Sequence, residues 1–114
     1  MAALLYAAFF AHAAVPQVIN YQSRLRTPAG SAITASTKVS FSLYAASTGG
    51  SVLWTESYSQ PSGVCAKVTP DTNGYFSVQM GSCVAFPATI TFTTPLFLGV
   101  TVESDAEAIP RIAF

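Results

Sequence analysis

Ionisable side chains are scarce in this 114-residue chain. Five Lys and Arg, five Asp and Glu and one His leave 9% of residues charged and a formal net charge of zero. Binding to nucleic acid or to an anionic membrane surface rests on clustered Lys and Arg that neutralise phosphates, and no such cluster exists here. Nucleic acid is therefore excluded as a partner class. The sequence also lacks a phosphate-cradling Gly-rich loop, a Ser nucleophile elbow and a Cys-x-x-Cys pair, which removes the common sequence signals for nucleotide, acyl-transfer and dithiol chemistry. It has no internal repeat, and no helical period of 3.6 is sustained over ten residues.

What is abundant is apolar residues, 51% of the chain, and they are unevenly placed. Residues 1–14, MAALLYAAFFAHAA, are apolar at every position but His12. This run is too short to cross roughly 30 Å of hydrocarbon. It ends in the small-x-small triplet Ala11-His12-Ala13 that suits a signal peptidase. Residues 1–14 are read as a secretory signal peptide cut after Ala13 or Ala14, although no Lys or Arg precedes the apolar run. Residues 15–114 are the mature module, with no membrane span and with the average apolar content of a globular domain.

Loss of the leader takes the only histidine with it. A His-dependent triad, a His metal site and a His proton shuttle then drop out together. Two cysteines remain, Cys65 and Cys83, 18 positions apart. In an exported protein such a pair is expected to form a disulfide, not a metal or redox site. The localisation expected is secreted, extracellular or on the cell surface.

From Val15 onward, short alternating runs are separated by Gly, Pro, Asn, Asp and Ser clusters. This predicts an all-β fold, a single antiparallel β-sandwich of about six to seven short strands. Residues 17–22 form a first strand. Residues 38–44 place Val39, Phe41 and Leu43 on one face, and after the Ser47-Thr48-Gly49-Gly50 turn they pair as a hairpin with residues 52–58. Residues 64–68 and 75–80 flank Pro70-Asp71-Thr72-Asn73-Gly74 and read as a second hairpin, with Phe76, Val78 and Met80 inward. Residues 89–92, between Pro87 and Pro95, are a short edge strand or an irregular crossing. Residues 96–102 are a central strand.

Carboxylates are the acid/base groups left in number. Glu103, Asp105 and Glu107 fall at a spacing that puts them on one side of a strand and could offer oxygens to Ca²⁺, but the loop signature of a calcium site is missing. A solvated strand end is the plainer reading. Glu56 and Glu103 could be imagined as a glycosidase pair, yet no sequence feature brings them to the separation that chemistry needs. No catalytic residue, metal ligand or cofactor is assigned, and the chain is read as a non-enzyme. Tyr44, Trp54 and Tyr58 are candidates for stacking on a sugar; aromatic clusters also fill sandwich cores, and the apolar strand around Trp54 favours the core. Ser and Thr, 25 of residues 15–114, make the outer faces polar without charge.

Several segments, in serial order, resemble one known module. Residues 15–25, VPQVINYQSRL, are similar to its opening "PQxINYQGRL"; residues 41–50, FSLYAASTGG, to "FRLYDAATGG"; and residues 53–56, LWTE, to "LWTE". Residues 73–81, NGYFSVQMG, resemble "NGVFNVxLG", residues 96–102, LFLGVTV, resemble "LYLGVxV", and residues 107–111, EAIPR, resemble the closing "EMxPR". The module stands near the N-terminus of bacterial secreted and phage tail-fibre-like surface proteins. The resemblance implies a non-catalytic structural or adhesion module at the head of a longer protein, whose partners are a downstream fibre or stalk, a second copy, or a glycan. It carries no functional residues over. Ser23 replaces a Gly of the pattern, and Cys65 and Cys83 lie outside it. In the family the chain continues past "PR", so residues 15–114 are expected to be truncated at the C-terminus. A carbohydrate-binding module and a filament subunit built by strand addition of residues 15–25 are the alternatives.

Overall fold

The computed structural model of the protein describes residues 17–114, so the leader expected at residues 1–14 lies outside the described residues. The described residues are all-β and contain no helix. Six strands run in chain order: β1 (Ile19–Arg24), β2 (Val39–Tyr44), β3 (Val52–Tyr58), β4 (Tyr75–Met80), β5 (Phe97–Val102) and β6 (Ile112–Ala113). They form two antiparallel sheets, β3-β2-β5-β6 and β1-β4, packed as a small sandwich.

Period-two patterning determines which residues lie between the layers. Val39, Phe41 and Leu43 of β2 are fully buried, while the intervening Ser40, Ser42 and Tyr44 face outward. Phe76 and Met80 of β4 and Leu98 of β5 join them from either side. Aromatic rings bridge the sheets. Tyr21 of β1 meets Phe41 edge-on at 5.0 Å between centroids, and within the large sheet Phe41 meets Tyr58 at 5.8 Å. On the outer face, Ser40 pairs with Ser57 (2.9 Å) and Ser42 with Thr55 (3.1 Å), hydroxyl to hydroxyl across β2 and β3. Uncharged polar pairs of this kind solvate a sheet face with no ionisable group.

The β2–β3 hairpin forms as expected, with a register irregularity at Leu43/Tyr44. β5 takes an inner place between β2 and β6. The hairpin expected between residues 64–68 and 75–80 does not form. Residues 64–68 are not a strand, and β4 pairs instead with β1, Ile19 opposite Met80 through Arg24 opposite Tyr75. The reason is where the backbone groups of residues 65–68 go. The Cys65 carbonyl accepts from the N–H groups of Ser59 and Gln60, Lys67 N–H donates to Gln60, and Val68 exchanges both its bonds with Thr37. That segment is spent, and the alternating Ile19 and Tyr21 supply β4 with a partner. The turn itself exists: Asp71 Oδ1 accepts from Asn73 and Tyr75 N–H, and Gly74 adopts a φ of 87°. It delivers β4 to β1, since Leu25 N–H donates to the Gly74 carbonyl. Residues 84–95 are an irregular crossing, under which Phe86 and Ile90 are buried. β6 has no counterpart among the expected strands.

Cys65 and Cys83 are joined by a disulfide, their Cα atoms 5.2 Å apart. It ties the loop after β3 to the connection leaving β4. Closing a loop of this length restricts the unfolded chain by about 3 kcal/mol. The double variant Cys65→Ser/Cys83→Ser should therefore lose about that much unfolding free energy in urea titration with no change of fold.

Candidate functional site

The most unusual side chain of the sandwich is Glu56. β3 alternates inward at Trp54, Glu56 and Tyr58, so the carboxylate is carried into the core opposite Phe41, with 1% of its surface exposed. A charge there survives only if hydrogen bonds replace its water. They come from the chain just beyond β4. Gly81 N–H is shared between Oε1 and Oε2 at 3.1 Å, and Cys83 and Val84 N–H donate to Oε2 at 2.8 and 2.9 Å. The Tyr58 hydroxyl lies 3.0 Å from Oε1 and 3.0 Å from the Gln79 carbonyl. Burial above all, reinforced by the charge of Glu56 and the bond to it and opposed by Ser82, pushes the Tyr58 phenol up to about 12. A carboxylate so enclosed organises backbone; every acceptor direction is already taken by the protein.

A second cluster closes the outer face of the large sheet. Arg111 Nε donates to Glu107 Oε2 at 2.7 Å, and Nη1 donates to the carbonyls of Ala46 and Gly49 at 2.8 Å each. The guanidinium lies over the Tyr44 ring at 3.4 Å, and Tyr44 O–H reaches Glu107 Oε1 at 3.4 Å. Gly99 makes room for this strap, because a Cβ there would stand 2.7 Å from the Glu107 carboxylate. The cluster joins the β2–β3 turn to the segment that returns as β6. Residues 107–111 of the closing motif are thus drawn together by fork-shaped donation and stacking, a geometry that suits Arg and not Lys.

The aromatic candidates do not share an open face. Trp54 is buried, its Nε1 donating to the Val84 carbonyl at 2.9 Å and its ring 4.5 Å from Phe86. Tyr58 is buried beside Glu56. Tyr44, half-buried, lies on the opposite face of the sheet with Arg111 across it. The three carboxylates expected on one side of a strand are not brought together either, because β5 ends at Val102 and Glu103 turns the chain with a φ of 53°. Glu103 accepts the Lys38 N–H at 2.9 Å, Asp105 is exposed, and Glu107 pairs with Arg111. Glu56 faces the core while Glu103 is exposed, so they do not form a pair across a cleft. Among the described residues no group of three His, Cys, Asp or Glu converges as a metal site would. Sequence reading missed both clusters. An isolated charge in the inward register of a strand, Glu56 between Trp54 and Tyr58, is the signal that could have revealed the first.

A family model described as a domain of unknown function, DUF8740, matches residues 20–111. No curated protein and no solved structure matches the chain.

Replacing Glu56 by Gln turns an NH2 group toward backbone N–H donors. The variant should lose about 3 kcal/mol of unfolding free energy, measured by denaturant titration. The raised Tyr58 pKa gives a second expectation. A native pKa above the unfolded value near 10 means that the native state holds the proton more tightly, so this contribution is intact below pH 10 and is lost as pH rises toward 12. Ultraviolet difference titration should show a phenol ionising near pH 12 that is absent from Tyr58→Phe, and that variant should flatten the alkaline fall in stability.

Proposed function

The chain belongs to the DUF8740 family, and we propose that it is an exported, non-catalytic structural module that spaces or anchors a larger surface or fibre-like protein. The observation that carries this reading is the use of its few ionisable groups. Glu56, Glu107 and Arg111 each bind backbone groups or one another; Glu107 and Arg111 border a hollow beside residues 47–49, but Glu107 is held there by Arg111 and Arg111 by the Ala46 and Gly49 carbonyls, so neither is a free acid or base. General acid–base catalysis needs such a group positioned against a substrate. The Cys65–Cys83 disulfide supports an oxidising compartment. No helix among the described residues is long and apolar enough to cross a membrane. A surface coated with Ser and Thr supports a role exercised in the extracellular medium, and the serial motifs at residues 15–25, 41–50 and 107–111 support placement in a surface protein.

The test is export. Expressed with its own N-terminus in a bacterial host, the chain should appear outside the cytoplasm with residues 1–14 removed and Cys65 and Cys83 oxidised, as read by N-terminal sequencing and thiol alkylation. Retention in the cytoplasm with free thiols would overturn the reading.

A further inference from the structure

Among the described residues four strands are faced by two, and no strand pairs with the far side of β1. Antiparallel ladders alternate, each residue pointing both backbone groups to one side. Leu25 N–H donates to Gly74, on the β4 side, so Ile19, Tyr21 and Ser23 share that direction while Asn20, Gln22 and Arg24 point their N–H and C=O away. No backbone hydrogen bond reaches those three residues from another described segment. Beneath this free edge lies a slot of about 210 Å³, lined by Tyr21, Ser23, Leu98, Val100, Pro110 and Ile112. Its floor is the inner face of β5 and β6. Val100 and Val102 are incompletely covered and Ile112 is 43% exposed.

We propose that this edge accepts an extended strand of another protein, apolar at alternate positions and acidic on its solvent face. Backbone pairing would come from Asn20, Gln22 and Arg24, and the slot would take the strand's inward side chains. The solvent face of the site is cationic. Arg24 and Arg26 stand at the same parity; Arg24 donates to the Asn73 carbonyl and lies over the Tyr75 ring, and neither guanidinium is neutralised by a salt bridge among the described residues. A strand with Glu or Asp outward meets that charge. A second copy fits less well, because its own β5 and β6 would have to occupy the floor that projects beyond β1. Of the other long edges, β3 has no slot beneath it, since Trp54, Glu56 and Tyr58 are packed there, and the far side of β4 is occupied: Asp71 takes both backbone groups of Tyr75, and Tyr58 O–H and Ser82 N–H donate to the Gln79 carbonyl. This inference stands apart from the export reading and holds for the folded domain in any compartment.

The experiment titrates the folded, disulfide-bonded chain with a capped hexapeptide alternating valine with threonine and a central glutamate, followed by backbone amide NMR. Shifts should concentrate at Asn20, Gln22, Arg24 and Ile112 and saturate below about 1 mM. Gln22→Pro deletes an N–H that points away from β4, so the fold stays intact while affinity falls about tenfold. Arg24→Glu should weaken the glutamate peptide and favour one with lysine in its place. A peptide of the same composition with its valines consecutive should not bind. Absence of saturable shifts, shifts confined to β3, or binding unchanged by Gln22→Pro overturns the proposal. Self-association of the free domain that Gln22→Pro abolishes also overturns it and gives the edge to a second copy.

Discussion

A carboxylate in the core has to be supplied with donors, and a chain leaving a strand has N–H groups without a ladder partner. Glu56 and residues 81–84 solve both problems at once. The cost of desolvating the charge is offset by three amides and a phenol. Once Cys83 and Val84 are fixed by the carboxylate, much else follows. Cys83 is held where Cys65 can be bridged, the Val84 carbonyl is presented to Trp54 Nε1, and Phe86 is laid against the indole ring. An irregular crossing thereby covers one end of the core without regular structure of its own. Its order is borrowed from β3.

The Arg111 cluster applies the same economy on the outer face. A turn between two strands exposes carbonyls, here Ala46 and Gly49, and a planar guanidinium can take both while it pairs with Glu107 and stacks on Tyr44. The strap then lies flat only because Gly99 has no side chain beneath it. Two ionisable clusters, one inside and one outside, fix two of the segments that lie outside the strand ladders. Scarcity of charge is thus not the same as absence of electrostatics. Arg24, Glu56, Asp71, Glu103 and Arg111 each bind backbone groups that ladder bonds leave over.

The strands that rest on alternation were legible. Residues 38–44, 52–58, 75–80 and 96–102 bury one face, and their pattern is local. The disulfide was legible too, because an even pair of cysteines in a chain read as exported has few other uses. Strand partners were not. Residues 64–68 look like a strand neighbouring β4, but Ser59, Gln60 and Thr37 compete for the same groups and win, an outcome set by tertiary context. The carboxylates at 103, 105 and 107 share a face only if the strand continues, and Glu103 ends that geometry. Glu56 and Arg111 escaped because each binds backbone groups far along the chain, such as Val84 and Ala46, and no sequence motif encodes which carbonyl or amide a distant side chain will meet.

Among the described residues the small sheet has two members against four. β1 and β4 cover β2 and part of β5, and the apolar faces of Val100 and Ile112 are left under the free edge of β1. Natural sheets blunt such edges with charge, proline or a covering loop. β3 has the loop, since the bridged Cys65 and Cys83 lie against its end. β1 has Arg24 at its end, with Arg26 two residues beyond, while Asn20 and Gln22 leave its middle uncharged. A module that was merely soluble would gain by a lysine at either position. The uncharged middle of β1, over an apolar slot, is the arrangement that backbone pairing with a further strand requires.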